Sequence, residues 1–159
     1  MQSNKWIRIL ALTALVSVGA SACSSSPSKT AINPLTVPSK SGLHLYSWKT
    51  NAGTGVGSID GIVAYADKDE SGTNIKCTGN CALTWHPWVT DGVAVHAVAG
   101  SGVQQSLIGT IKRPDGSEQI TYGGHPLYLY AHPTHALIAN AQGAGGVWYI
   151  VGLNGHQIT

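Results

Sequence analysis

Apolar positions in this chain come in short runs separated by Gly, Pro and Asn, not in long helical periods. Residues 43–48 (LHLYSW) alternate in the period-two pattern of a half-buried strand. The Gly-rich stretch 51–57 breaks that pattern, and 61–66 (GIVAYA) predicts a second strand. A polar run over 67–76 leads into a turn bounded by Cys77 and Cys81. Residues 82–85 have room for one helical turn, stopped by Pro87 because proline disfavours helical backbone at the residue before it. Residues 93–98 (VAVHAV) predict a short apolar strand, and 102–109 a brief helical turn.

The clearest local signal follows. Residues 107–113 and 117–122 flank Pro114-Asp115-Gly116, a turn tripeptide that predicts a β-hairpin. Gly123-Gly124 turns the chain into 126–131 (PLYLYA), and 147–151 (VWYIV) reads as a buried strand. Asn154-Gly155 then predicts a tight turn back through 156–158. Short strands between Gly and Pro turns predict a small all-β domain, an antiparallel sandwich or barrel-like fold with little helix. A faint repeat runs through it. DGIVAYADKD leading to Trp85 echoes GGHPLYLYAH leading to Trp148, which predicts two degenerate β repeats, at about 57–90 and about 120–151.

The N-terminal residues change the picture from fold to address. Lys5 and Arg8 precede an apolar run over 9–18 that is too short for a permanent membrane span. Small residues and then Cys23 follow, an order that resembles a bacterial lipoprotein signal. It predicts a signal peptide over 1–22, lipidation of Cys23, a Ser/Pro-rich tether over 23–41 and one domain over 42–159. The expected location is the extracytoplasmic side of a bacterial envelope membrane, held there by the lipid on Cys23. Lys5 and Arg8 leave with the signal, so a chain with 9 Lys+Arg and 7 Asp+Glu becomes balanced. With no basic run either, nucleic acid is not an expected partner. Phe is absent, so Tyr and Trp must supply the aromatic packing.

Three phrases, CTGNCALTWHP, SLIGTIKRPDGSEQITYGGHPLYLY and NAQGAGGVWYIV, together resemble the secreted-repeat lipoproteins of bacteria. That family carries a Tyr-x-aromatic-x-x-Asp motif in two copies. The resemblance implies an envelope location, a lipid anchor and a β-rich repeat, and it implies no reaction. In the second copy Tyr128 and Tyr130 fit the motif, with Pro133 in the aspartate place; in the first, Tyr65 and Asp69 are the expected pair, with one residue missing between them. Tyr46 and Trp48, with Asn51 in the acidic place, are another match.

Candidate chemistry is sparse. Outside the reducing cytoplasm Cys77 and Cys81 are expected to form a disulfide. An alternative redox or metal-handling reading takes Cys77, Cys81 and His86 as copper ligands, or His125, His132 and His135 as ligands for a metal or haem. Tyr65, Asp69, Trp85, Tyr128, Tyr130 and Trp148 are a possible ligand surface for an envelope protein, a glycan or a small molecule. The plainer reading of those aromatics is a Tyr/Trp core. Asp67, Asp69 and Glu70 lack the oxygen spacing of a calcium loop and are expected to be solvated. There is no G-x-S-x-G elbow and no H-E-x-x-H. The expected function is therefore a non-catalytic binding or structural-interaction module, without a cofactor.

Overall fold

Turn chemistry cuts the described residues of this chain into ten short strands. A computed structural model describes residues 42–98 and 100–159; the signal peptide, Cys23 and the tether lie outside the described residues. The strands are β1 (Leu43–Thr50), β2 (Gly53–Gly57), β3 (Ala64–Asp67), β4 (Trp85–Pro87), β5 (Val95–Ala97), β6 (Ile108–Lys112), β7 (Glu118–Tyr122), β8 (His125–Pro126), β9 (Tyr128–Tyr130) and β10 (Trp148–Ile150). One helical turn, α1 (Asn80–Thr84), and a 3-10 turn at Gln105–Leu107 stand where brief helical turns are expected. The domain is all-β. No helix among the described residues is long and apolar enough to cross a membrane.

The expected hairpin is β6–β7. Its turn closes as its sequence dictates: Gly116 takes φ 86, and Asp115 Oδ1 accepts hydrogen bonds from the Ser117 amide at 2.9 Å and hydroxyl at 2.6 Å. The Asn154-Gly155 turn also forms, with the Gly152 amide donating to the His156 carbonyl at 2.8 Å. One pairing departs from a purely antiparallel fold, because β5 runs parallel to β1. A connection through several strands separates the two, so parallel pairing is sterically open to them.

Three sheets result, ordered β2-β1-β5, β10-β3-β9-β4 and β6-β7-β8. The four-stranded sheet shows how the two repeats interlock. β3 and β9 are central and antiparallel, with Tyr65 opposite Tyr128. On one side Trp148, Tyr149 and Ile150 of β10 face Asp67, Ala66 and Tyr65 of β3. On the other, Trp85, His86 and Pro87 of β4 face Tyr130, Leu129 and Tyr128 of β9. Tyr128 lies as far beyond Tyr65 as Trp148 lies beyond Trp85. The two registers are therefore one register repeated about a pseudo-twofold axis through the Tyr65–Tyr128 pair. Each repeat's Trp-bearing strand pairs with the Tyr-bearing strand of the other.

The symmetry reaches the flanking hairpins. The β1–β2 pairing of Tyr46 with Gly57 corresponds to Gly109 with Thr121 in β6–β7, and the bridge Gly57–Val63 corresponds to Thr121–Pro126. The Val56 amide donates to the Val151 carbonyl at 2.9 Å; in the other half Ile120 donates to Trp88 at 2.8 Å. Each repeat thus begins one strand earlier than 57 and 120, because a whole hairpin precedes its Tyr strand. Two clusters of buried side chains form the core, one around Leu45, Val56, Ile120 and Leu127, the other around Tyr65, Trp85, Tyr128 and Trp148.

Candidate functional site

Where the repeats cross, Trp85 and Trp148 stack with ring centroids 4.0 Å apart and planes 9° from parallel. Tyr65 meets Trp85 edge-on at 5.4 Å, and Tyr128 meets Trp148 edge-on at 5.1 Å, the same contact twice. Tyr130 packs on Trp85 at 5.0 Å. Offset and edge contacts of this kind suit the ring quadrupoles, and they fill the volume that Phe would otherwise occupy. Tyr65, Trp85, Tyr128 and Trp148 are all buried, which corrects the expectation of an open ligand surface: these four are core. Tyr130 is half-buried, and Asp69 is exposed on a separate loop.

Beneath this stack lies a buried polar network. Glu70 is fully buried, against the expectation that it is solvated with Asp67 and Asp69. Glu70 Oε1 accepts from the Lys76 and Cys77 amides at 2.6 Å each, and Oε2 accepts from the Tyr128 hydroxyl at 2.7 Å. Arg113, at the end of β6, donates through Nη1 to the Tyr128 hydroxyl at 3.2 Å and to Gln119 Oε1 at 2.5 Å. Its Nη2 donates to the Cys77 carbonyl at 2.7 Å, and Gln119 Nε2 reaches the Leu127 carbonyl at 2.7 Å. The carboxylate and the guanidinium do not touch; the Tyr128 hydroxyl relays between them. Removing one member would leave buried charge without a partner, so the network is a structural clamp across the repeats.

Burial, followed by the bond to Glu70, pushes the Tyr128 hydroxyl well above the ordinary tyrosine range. Burial also raises Tyr65. The two hydrogen bonds from Ser117, with Arg113 nearby, hold the Asp115 carboxyl below its usual value; Arg113 Nε lies 3.6 Å from it.

The network also corrects the motif assignment. Glu70 follows Tyr65 at the Tyr-to-Asp spacing of the motif, with Asp67 where the aromatic would stand, and Glu70, not Asp69, is the acid buried at that place. That acid serves the tyrosine of the other repeat. Pro133 occupies the equivalent place in the second repeat, and Tyr65 has no carboxylate partner: its hydroxyl accepts from the Ala141 amide at 3.3 Å. Asn51 Oδ1 accepts from the Ala139 amide at 2.8 Å on that side. Residues 132–138 are all exposed; the equivalent stretch 69–75 is exposed as well, apart from the buried Glu70 and the half-buried Ile75.

Cys77 and Cys81 are bonded to each other, with Cα atoms 5.1 Å apart. Neither is therefore a free thiolate for copper. His86 is half-buried on β4 and paired with Leu129, His125 is half-buried on β8, His132 lies edge-on to Tyr130 at 5.8 Å, and His135 is exposed. Among the described residues no group of three or more His, Cys, Asp or Glu side chains gathers as a metal site. The imidazoles that do meet are His44 and His96, a pair that no sequence spacing marks.

Residues 109–152 match a protein family described as a secreted repeat of unknown function, a description that goes with an extracellular or cell-envelope location. The match covers the second half of the pseudo-twofold, and the strand registers give residues 46–89 the same architecture. No curated protein and no solved structure matches the chain.

Proposed function

We propose, taking the secreted repeat at 109–152 and its structural twin as premise, that the chain is a lipid-anchored envelope protein and a non-catalytic interaction module. The anchor reading rests on Cys23 at the end of a lipoprotein-like leader. The non-catalytic reading rests on the use of the buried ionisable groups: Glu70, Arg113 and Tyr128 hold loops and strands together. The partner in this reading is another envelope protein.

One observation carries the interaction reading, the asymmetry between the repeats. The loop after β3 turns Glu70 inward as its anchor, whereas the equivalent loop after β9 has the exposed Pro133 in that place and is held from outside, by Asn51 at the Ala139 amide. The loop after β9 presents Leu137, 42% exposed, and Ile138, 39% exposed. Leu137 holds φ 65, a backbone conformation that costs a branched side chain about 1–3 kcal/mol and clusters at functional sites. Its amide donates to the Gly61 carbonyl at 3.0 Å, which sets it beside the loop carrying Ile59, 54% exposed. Exposed apolar side chains on two hydrogen-bonded loops suit a protein partner better than a sugar.

A photo-crosslinking residue placed at Leu137 in the intact envelope tests the reading, with Lys112 as the control site. A discrete adduct from position 137 that is absent from position 112 supports it. No adduct, or the same adducts from both sites, contradicts it. The anchor is tested separately: Cys23→Ala should move the protein from the membrane fraction to the soluble one.

A further inference from the structure

Parallel pairing of β1 with β5 sets His44 directly opposite His96. Leu43, Leu45 and Val95 on the same strands are buried, so alternation turns both histidines to the other, solvent-facing side. His44 is half-buried and His96 exposed, and the ring centroids are 5.8 Å apart. Gly42 makes room for this: a Cβ there would stand 3.0 Å from His96 Cδ2 and 3.4 Å from Nε2. The pair is no by-product of the repeat. Leu107 takes the place of His44 in the second half, and His96 comes from the segment between the repeats.

We propose that His44 and His96 form a two-imidazole site for a borderline divalent cation, Cu(II) or Zn(II). Metal–nitrogen bonds of about 2 Å join rings whose centres are roughly 5 to 6 Å apart, so the observed separation needs only side-chain rotation. Imidazole nitrogen selects these ions over calcium and magnesium, which take oxygen ligands. Two protein ligands leave the remaining positions to water or to a donor group from elsewhere, so the ion exchanges readily. The site shares no residue with the disulfide or with His86, His125, His132 and His135.

The processed chain with its disulfide intact is titrated with Zn(II) by calorimetry and with Cu(II) by electron paramagnetic resonance. Wild type and His132→Asn should each bind one equivalent, with two nitrogens on copper. His44→Asn and His96→Asn should each bind at least about tenfold more weakly, as the loss of one of two ligands implies. Added Zn(II) should raise the melting temperature of wild type and not of either variant, a readout that also reports folding of the metal-free variants. Absence of saturable binding overturns the proposal, as does binding that survives either substitution in a protein that melts like wild type.

Discussion

Tyr128 donates its hydroxyl proton to Glu70 at 2.7 Å, and the two residues belong to different repeats. The motif acid of one copy thus completes the motif tyrosine of the other, at the same crossing where Trp85 stacks on Trp148. In this half the cross-repeat bond adds chemistry to the strand pairing; in the other half Pro133 leaves Tyr65 to the Ala141 amide.

Glu70→Ala leaves the Tyr128 hydroxyl and the Lys76 and Cys77 amides without their acceptor inside the protein. The expected cost is about 3–5 kcal/mol, the range for breaking a buried charged network from one side. Glu70→Gln keeps one acceptor and should cost less. Urea denaturation of both variants and of Arg113→Met, with the Glu70→Gln/Arg113→Met double variant, should show strong non-additivity. Additive costs would mean that Tyr128 does not couple the two groups.

Alkaline pH offers a second check. Tyr65 and Tyr128 have hydroxyl pKa values raised above 10.0 in the fold. A raised value means that the folded state keeps its proton where the unfolded state loses it. Their contribution is whole below about pH 10 and declines as pH rises above that value. Spectrophotometric titration should show both tyrosines missing from the native tyrosinate rise and appearing only with unfolding. Ionisation of all six tyrosines in one step near pH 10 would contradict it.

Trp85→Leu and Trp148→Leu should destabilise by similar amounts, because their surroundings are related by the pseudo-twofold. Each should approach the ~3 kcal/mol typical of truncating a buried tryptophan, with a coupling of about 0.5–1.5 kcal/mol between them. Near-ultraviolet circular dichroism should lose the same band in both variants. Very unequal costs would argue against the stacked crossing.

Reduction of Cys77–Cys81 should cost about 2 kcal/mol, since so short a loop restrains little unfolded-chain entropy. A melting curve with and without reductant measures this. Loss of all structure on reduction would show that the bond carries the fold instead of fixing one turn.

Much of the fold is legible in the sequence where the signal is local. The Pro114-Asp115-Gly116 hairpin, the cysteine turn and the brief helical turns need only neighbouring residues, and they stand where expected. The Tyr/Trp core is legible because a chain without Phe has few other ways to fill its interior. Glu70 is not legible locally: it sits in a polar run, and only Tyr128 and Arg113, far along the chain, make its burial tolerable. Counting the motif spacing from Tyr65 to its sixth position would have singled it out. Each repeat's leading hairpin is hard to read from sequence because the crossing, not the hairpin, carries the conspicuous Tyr and Trp residues. The meeting of His44 with His96 depends on the register of a parallel pair, which neither strand encodes alone.

The claim that a buried acid clamps the loop after β3, and that the loop after β9 has none, is tested most directly by hydrogen–deuterium exchange of the two loops in the intact protein. Amides at 76 and 77, bonded to the buried Glu70, should exchange slowly, and those across 134–136 in the exposed loop should exchange orders of magnitude faster at the same pH. Equal protection of the two loops, or faster exchange at 76 and 77, would contradict the clamp and remove the basis for the docking face at Leu137.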